Sequence, residues 1–452
     1  MKNRIKSPNT TQLILLSFLV AIFIGSLLLY LPISTKSGVS VSYIDALFTA
    51  TTATCVTGLV TLPTVTTWSI FGQIVLLLLI QIGGLGIITV LSGITVAINR
   101  KMKLKDSRLI SDAFNINSLE GLSKFVKKVM IGTFIVEGVG ALLYMIVFIP
   151  QFGLKGIWIS VFNSISAFCN AGIDIIAEDS LCSYATNPII NSITSSLIIL
   201  GGLGYIVWWD VLRVVKDFKI QKFKCFRRLT LHSKIVLSVT AILIFGGALL
   251  VFIFEYSNPK TIADMSLFDK IQVSFFQSIT TRTAGFATIP QENLTDTTAM
   301  ISLLWMFVGG SPVGTAGGIK TVTVAVLIFT AYALITNKNE VSVFNRALSK
   351  QVTRKAVAVT VMSFSIMFIS TILLSAVTEA SALDVMYETV SATATVGLTR
   401  NLTSFLNLWG KLIIICTMYL GRIGPISLAI AFAYGKETSN NIKNPVEEIS
   451  VG

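Results

Sequence analysis

"FTATTATCVTG", residues 48–58, follows the first long apolar run of the chain and has three relatives further along. Aligned on an aromatic residue followed ten residues later by glycine, they read "FNSISAFCNAG" (162–172), "FFQSITTRTAG" (275–285) and "YETVSATATVG" (387–397). Gly58, Gly172, Gly285 and Gly397 are thus separated by 114, 113 and 112 residues. Near-constant spacing across a whole chain marks an internal repeat. Each unit has the same layout. A long apolar span (12–31, 126–149, 233–254, 355–377) precedes a shorter run, then the Ser/Thr-Gly stretch, then a second long span (68–98, 188–212, 297–335, 405–434). The shorter runs, of about 10–14 residues, cannot cross the bilayer and read as re-entrant helices.

Eight spans follow, and two crossings per unit return the chain to the same side. The expected fold is an all-α polytopic membrane protein. Its four parallel units, each a span, a re-entrant helix and a second span, surround a pseudo-fourfold pore axis. The unit bounds are 1–110, 111–225, 226–345 and 346–436, with a tail over 437–452.

Composition agrees. The 452 residues are 53% hydrophobic and only 13% charged, and the mean hydropathy is +0.79. The basic start "MKNRIK" leads into a run longer than a signal-peptide core, with no small-residue cleavage site after it, so it reads as retained. The net charge of +13 is concentrated in the N-terminus, 100–128, 213–234, 336–355 and the tail. The intervening loops are acidic, with Asp174, Glu178, Asp179, Asp264, Asp269, Glu292, Asp296, Glu379 and Asp384. That alternation is the positive-inside pattern; it puts both termini in the cytoplasm and turns the basic segments toward lipid headgroups and solvent rather than nucleic acid. Five cysteines without C-x-x-C spacing and a single histidine, His232, leave no metal cluster and no His-based triad.

Non-helical backbone at membrane depth is tolerated where it lines a water-filled cavity. Four glycine loops in register can turn their carbonyls inward and replace the hydration shell of a cation, with Thr hydroxyls adding oxygens. The short helices would aim their negative C-terminal ends at the same point.

At these loops, and at the two sites described next, the sequence resembles the Trk/Ktr/HKT superfamily of potassium transport proteins. It is most similar to the Ktr-type membrane subunit of bacteria (KtrB/KtrD-like), over nearly the whole chain. The resemblance implies M1–pore helix–M2 repeats and a filter whose glycines are Gly58, Gly172, Gly285 and Gly397. The candidate ion-binding set is these glycines with Thr57, Asn170, Ala171, Thr283, Ala284, Thr395 and Val396. Glycine rather than serine at the first position reads as potassium-preferring. The resemblance further implies potassium as the transported ion, a homodimeric membrane part in the bacterial plasma membrane, and a cytosolic ring of nucleotide-binding regulatory subunits (KtrA/KtrC-like). Nucleotide is expected only on that partner.

"FVGGSPVGTAGGIKTV" (307–322) interrupts the second span of the third unit, 297–335. It lacks the Gly-Lys pair and preceding strand of a phosphate-binding loop. A bare kink is one reading. The other is a flexible intramembrane gate loop, 309–319, that obstructs the pore through Gly309, Gly310, Ser311, Gly314, Thr315, Ala316, Gly317 and Gly318; the superfamily places its gating loop here. In the last unit Arg422 lies between glycines at membrane depth, where a cation is usually functional. It reads either as a barrier beside the gate, the role the resemblance gives it, or as a structural arginine bonded to carbonyls.

Arg282 is expected behind the filter as a support, and Glu137 in an interhelical hydrogen bond; Lys320 is undecided. The paired glycines of "QIGGLGI" (81–87) and "LGGLGYI" (200–206) read equally as packing or function. The competing function is a cation symporter working by alternating access, which would call for inverted repeats. A membrane enzyme has no nucleophile–base pair to support it.

Overall fold

The computed structural model describes residues 10–87, 89, 90, 92, 122–216, 222–338 and 340–424. The basic N-terminus, most of the basic segment 100–128 and the tail lie outside the described residues.

The fold is helical, and one order of elements recurs four times. Long apolar helices α1 (Thr10–Tyr30), α4 (Leu122–Phe152), α8 (Leu231–Glu255) and α12 (Lys350–Ser375) are each followed by a short one. The short helices are α2 (Tyr43–Cys55), α5 (Lys155–Cys169), α9 (Leu267–Thr280) and α13 (Ala382–Ala394). The third places are taken by α3 (Ile70–Leu85), the pair α6 (Pro188–Leu203) and α7 (Tyr205–Val215), the pair α10 (Asp296–Phe307) and α11 (Thr321–Ile335), and α14 (Leu408–Ile423). A two-residue hairpin, Ser342–Val343 with Arg346–Ala347, is the one departure from helix among the named elements.

Local chemistry explains the starts. Three of the short helices open on Ser-x-x-Asp, a capping arrangement in which the serine hydroxyl accepts the aspartate N–H. Ser42 serves Asp45, Ser266 serves Asp269 and Ser381 serves Asp384. The third-place helices open on Ser69, Asn187, Thr295 and Asn407, whose side-chain oxygens take orphan N–H groups of the first turn.

The four long helices are apolar and long enough to cross a membrane; the bent pair α6–α7 raises that number to five among the described residues. Their outer faces carry exposed Phe23, Leu142, Ile242 and Phe364, which in water would be unpaired apolar surface and in lipid is not. The second spans were expected to be continuous outside the third unit. The structure instead ends the helices of the other three at Gly86, Gly204 and Gly424, α7 leaving α6 at 100°; 425–434 lies outside the described residues. All three glycines share one conformation, φ +83° to +86°, a region glycine enters without steric cost. Smooth apolar patterning ran across these breaks and concealed them.

Hydrogen bonds and an ion pair tie the four units into a circle. Trp158 donates to Gln73 at 2.7 Å, joining the second unit to the first. The Leu181 N–H donates to the Ala287 carbonyl at 2.9 Å, second to third. Tyr387 donates to Gln291 at 3.0 Å, fourth to third. Lys411 pairs with Asp45 at 2.6 Å and closes fourth onto first.

Candidate functional site

Three of the short helices end directly on a left-handed cap, and α9, in the third unit, reaches its left-handed residue after one further turn, Thr281–Arg282. Val56, Asn170, Thr283 and Thr395 take left-handed conformations with φ between +51° and +62°, and the glycine two residues on also has positive φ. The glycines then meet. A Cβ placed on Gly58 would lie 2.7 Å from the Ala171 carbonyl oxygen, and one on Gly172 would lie 2.6 Å from that of Ala284. On Gly285 it would stand 2.6 Å from Val396 O, and on Gly397 2.3 Å from Thr57 O. The contacts run first to second, second to third, third to fourth and fourth to first, so they close a ring. Only glycine fits at these four places, because the obstacle is backbone.

Two side-chain oxygens of the ring residues, Thr57 Oγ1 and Thr395 Oγ1, are buried with no hydrogen-bond partner. Such groups are costly unless something else satisfies them. The ring floors a cavity of about 310 Å³. Asp174, Glu178, Asp179 and Glu292 line its walls. Asp174 lies in the loop after Gly172, and burial pushes its carboxyl up to about 6 against the pull of hydrogen bonds from Ser180 and the Ile176 N–H.

On the other side of the ring lies the non-helical stretch 308–320, between α10 and α11. The last carbonyls of a helix have no partner within it, and the break at Gly204 leaves those of α6 open. The stretch takes them up. Thr315 N–H donates to Gly201 O at 3.1 Å, Ser311 N–H to Gly202 O at 2.8 Å and Ser311 Oγ to Leu203 O at 2.6 Å. In return, the first N–H of α7, on Tyr205, donates to Val313 O at 3.1 Å.

The left-handed residues above hold the same stretch. Thr315 Oγ1 donates to Asn170 Oδ1 at 3.2 Å and to Phe168 O at 3.0 Å. Gly317 N–H donates to Thr283 Oγ1 at 3.2 Å. Gly317 also packs so closely on Thr395 that a Cβ there would overlap its hydroxyl. In the first unit the corresponding residue is Val56, which offers no polar group, and Arg422 bridges that gap. Its guanidinium donates to Thr315 O at 2.7 Å and to Gly83 O, in the last turn of α3, at 2.6 Å. Lys320 donates to Ala316 O at 2.7 Å and shares Gly317 O, so it clips the stretch to itself. Gly83, Gly84, Lys320 and Arg422 line a second cavity, of about 360 Å³.

The structure therefore brings together every expected ring residue, and sets the 309–319 segment and Arg422 against them. Arg282 turns away from the ring, toward Thr240 on α8 at 3.4 Å. Glu137 accepts from Gln81 on α3 at 3.1 Å, an interhelical bond as expected. The glycine pairs serve close packing: a Cβ on Gly83, Gly201 or Gly421 would collide with the Thr54, Phe168 or Thr393 carbonyl of the adjacent short helix. The sequence reading missed the docking of Ser311 on the broken end of α6. Its only trace was the last glycine of "GGLG", indistinguishable there from packing.

A closed ring of backbone carbonyls between two cavities, inside an apolar helical bundle, belongs to the class of membrane proteins that pass cations. The comparisons agree: residues 1–443 match the TrkH family, described as cation transport proteins, and the chain belongs to that family. It is 39% identical over 442 residues to the Ktr system potassium uptake protein B of Bacillus subtilis (strain 168), covering 98% of this chain and 96% of the relative. It is 36% identical over 459 residues to the potassium/sodium uptake protein NtpJ of Enterococcus hirae, covering 100% and 99%. The crystal structure of the potassium transporter TrkH from Vibrio parahaemolyticus superposes with a TM-score of 0.75 at 17% identity, over 96% of this chain and 86% of that one.

Proposed function

We propose that this chain takes up potassium across the bacterial plasma membrane. On this reading the four recurring units, with the bounds set out above, are M1–pore helix–M2 repeats crossing the membrane eight times, and the glycine ring is the selectivity filter. The observation that carries it is the cyclic contact of each glycine with the carbonyl before the next. Carbonyls so fixed replace a hydration shell, and the four short helices point their C-terminal ends at the same place.

Loop 309–319 is then the gate, closed in the conformation described. It spans the space under the ring and is anchored to three units directly and to the first through Arg422. Opening requires release of the Arg422 bonds and of the Ser311 bond to Leu203. Control falls to a separate cytosolic nucleotide-binding ring acting on a homodimer of this chain; the relatives named as parts of a Ktr system support that assignment. A second reading, coupled entry of sodium, draws on the relative named for potassium and sodium.

Uptake of rubidium against sodium into liposomes holding only this chain, with Gly285→Ser alongside, tests the proposal. Rubidium entry that potassium blocks and sodium does not, with discrimination weakened in the variant, is the expected result. Equal entry of rubidium and sodium through the parent would sink the filter assignment.

A further inference from the structure

Behind the glycine ring stand four hydroxyl side chains that the functional reading leaves unused. Thr52, Ser166, Thr280 and Ser391, on the last turns of the four short helices, are completely buried. Each reaches the backbone beside its own glycine, in one of two ways. Thr52 Oγ1 accepts the Gly58 N–H at 2.9 Å, and Ser391 Oγ accepts the Gly397 N–H at 3.0 Å. Ser166 Oγ acts beyond the glycine, donating to Ile173 O at 2.5 Å and accepting the Ile173 N–H at 3.2 Å. Thr280 Oγ1 donates to Phe286 O at 2.6 Å.

The difference decides which peptide group is fixed. A trans peptide is planar, and its N–H and C=O point to opposite sides. Holding the Gly58 N–H back toward α2 therefore turns the Thr57 carbonyl, in the same plane, away from α2 and into the ring. Holding the Gly397 N–H back toward α13 does the same for the Val396 carbonyl. These two carbonyls belong to adjacent units, the fourth and the first. In the second and third units the hydroxyl fixes the chain past the glycine, so the carbonyls of Ala171 and Ala284 are not set by it.

We infer that Thr52 and Ser391 are specificity-determining positioning residues, which hold the Thr57 and Val396 carbonyls at the spacing a potassium ion matches and a smaller sodium ion does not. The inference rests on the ring being the selectivity filter. It makes the filter unequal: two neighbouring carbonyls are fixed from behind and two are not.

The test uses the full chain in liposomes, reading rubidium uptake and the ratio of sodium to potassium concentrations that halve it. Thr52→Val keeps the size and removes the acceptor; Ser391→Ala removes the other. Each is expected to lower the ratio about fivefold, the effect of one hydrogen bond of ordinary net strength. Thr52→Ser restores the acceptor and should restore the ratio, which a role in folding alone would not predict. Ser166→Ala and Thr280→Ala should move it less. A parental ratio in both Thr52→Val and Ser391→Ala would overturn the inference, and so would an equal fall in all four variants. Should Thr52→Val not yield a monodisperse protein, Ser391→Ala with its rescue by Ser391→Thr decides the same question. Gly58→Ser separates the two levels: if it leaves the ratio unchanged, the filter reading itself fails, whereas a change there beside a parental Thr52→Val removes only the positioning role.

Discussion

The ring and the loop beneath it are neighbours built on opposite plans. The ring takes one glycine and one carbonyl from each unit, and each contact repeats the last with a new partner. The loop belongs to the third unit and is held by unlike groups: helix-end carbonyls in the second, a threonine hydroxyl in its own unit, an arginine in the fourth. A repeated contact suits a site that must coordinate a spherical ion. An unrepeated one suits a part that must move, because its anchors are unlike and can be released separately.

The largest effect should come from breaking the ring where it is tightest. A Cβ at Gly397 would stand 2.3 Å from the Thr57 carbonyl, at a φ of +97°. Neither the contact nor the backbone angle suits an L side chain. Gly397→Ala is expected to cut potassium-sensitive rubidium uptake by at least tenfold, with correct assembly verified by size-exclusion chromatography. Parental uptake would show that the ring is looser than its contacts imply.

Breaking the loop should have the opposite sign. Arg422 makes two hydrogen bonds from a charged donor to carbonyls, and such bonds are worth about 1.5–3 kcal/mol each. Arg422→Ala is therefore expected to raise the uptake rate of the isolated chain about tenfold or more, while leaving ion preference as in the parent. Initial rates of rubidium entry measure it. A slower rate would mean that Arg422 holds the pathway together rather than shut.

How much of this could be read in advance follows the same division. The ring was visible: its glycines recur at almost fixed spacing, and the residues around them follow by alignment. Thr52, Ser166 and Ser391 also share one column, six residues before the glycine, while Thr280 is displaced by one. Their importance was hidden because a hydroxyl on a short polar helix is unremarkable until its partner is known. Nothing in a linear pattern pairs Glu137 with Gln81, Arg282 with Thr240, or Ser311 with the end of α6. Those pairings depend on how separate units pack. The breaks at Gly86, Gly204 and Gly424 were lost for a different reason: an apolar run reads as one span whether or not a glycine inside it takes positive φ.

A smaller effect comes from loosening one anchor of the loop. Ser311 Oγ donates to the carbonyl that the break at Gly204 leaves open. Ser311→Ala removes that bond and keeps the backbone contacts on either side. Uptake by the isolated chain should rise about fivefold, in line with one ordinary hydrogen bond, and stay below the rise in Arg422→Ala. A rise equal to that of Arg422→Ala would mean that the two anchors release together.

The smallest expected effect lies on the outer side, where the four units differ again. Asp174 faces the cavity above the ring, with its carboxyl pushed up to about 6 by burial. It is therefore charged at pH 7.5 and mostly neutral at pH 5. A negative charge in a partly enclosed mouth raises the local concentration of cations, so this attraction is present above pH 6 and fades as pH falls through it. Rubidium uptake at low external concentration should drop about two- to threefold between pH 7.5 and pH 5, and the drop should shrink when the concentration is saturating. Asp174→Asn should give the low-pH rate at both pH values. A variant that keeps the parental pH dependence would take the titration away from Asp174. Asp174 would then be a support for its own loop, through Ser180 and the Ile176 N–H, rather than part of the ion's approach.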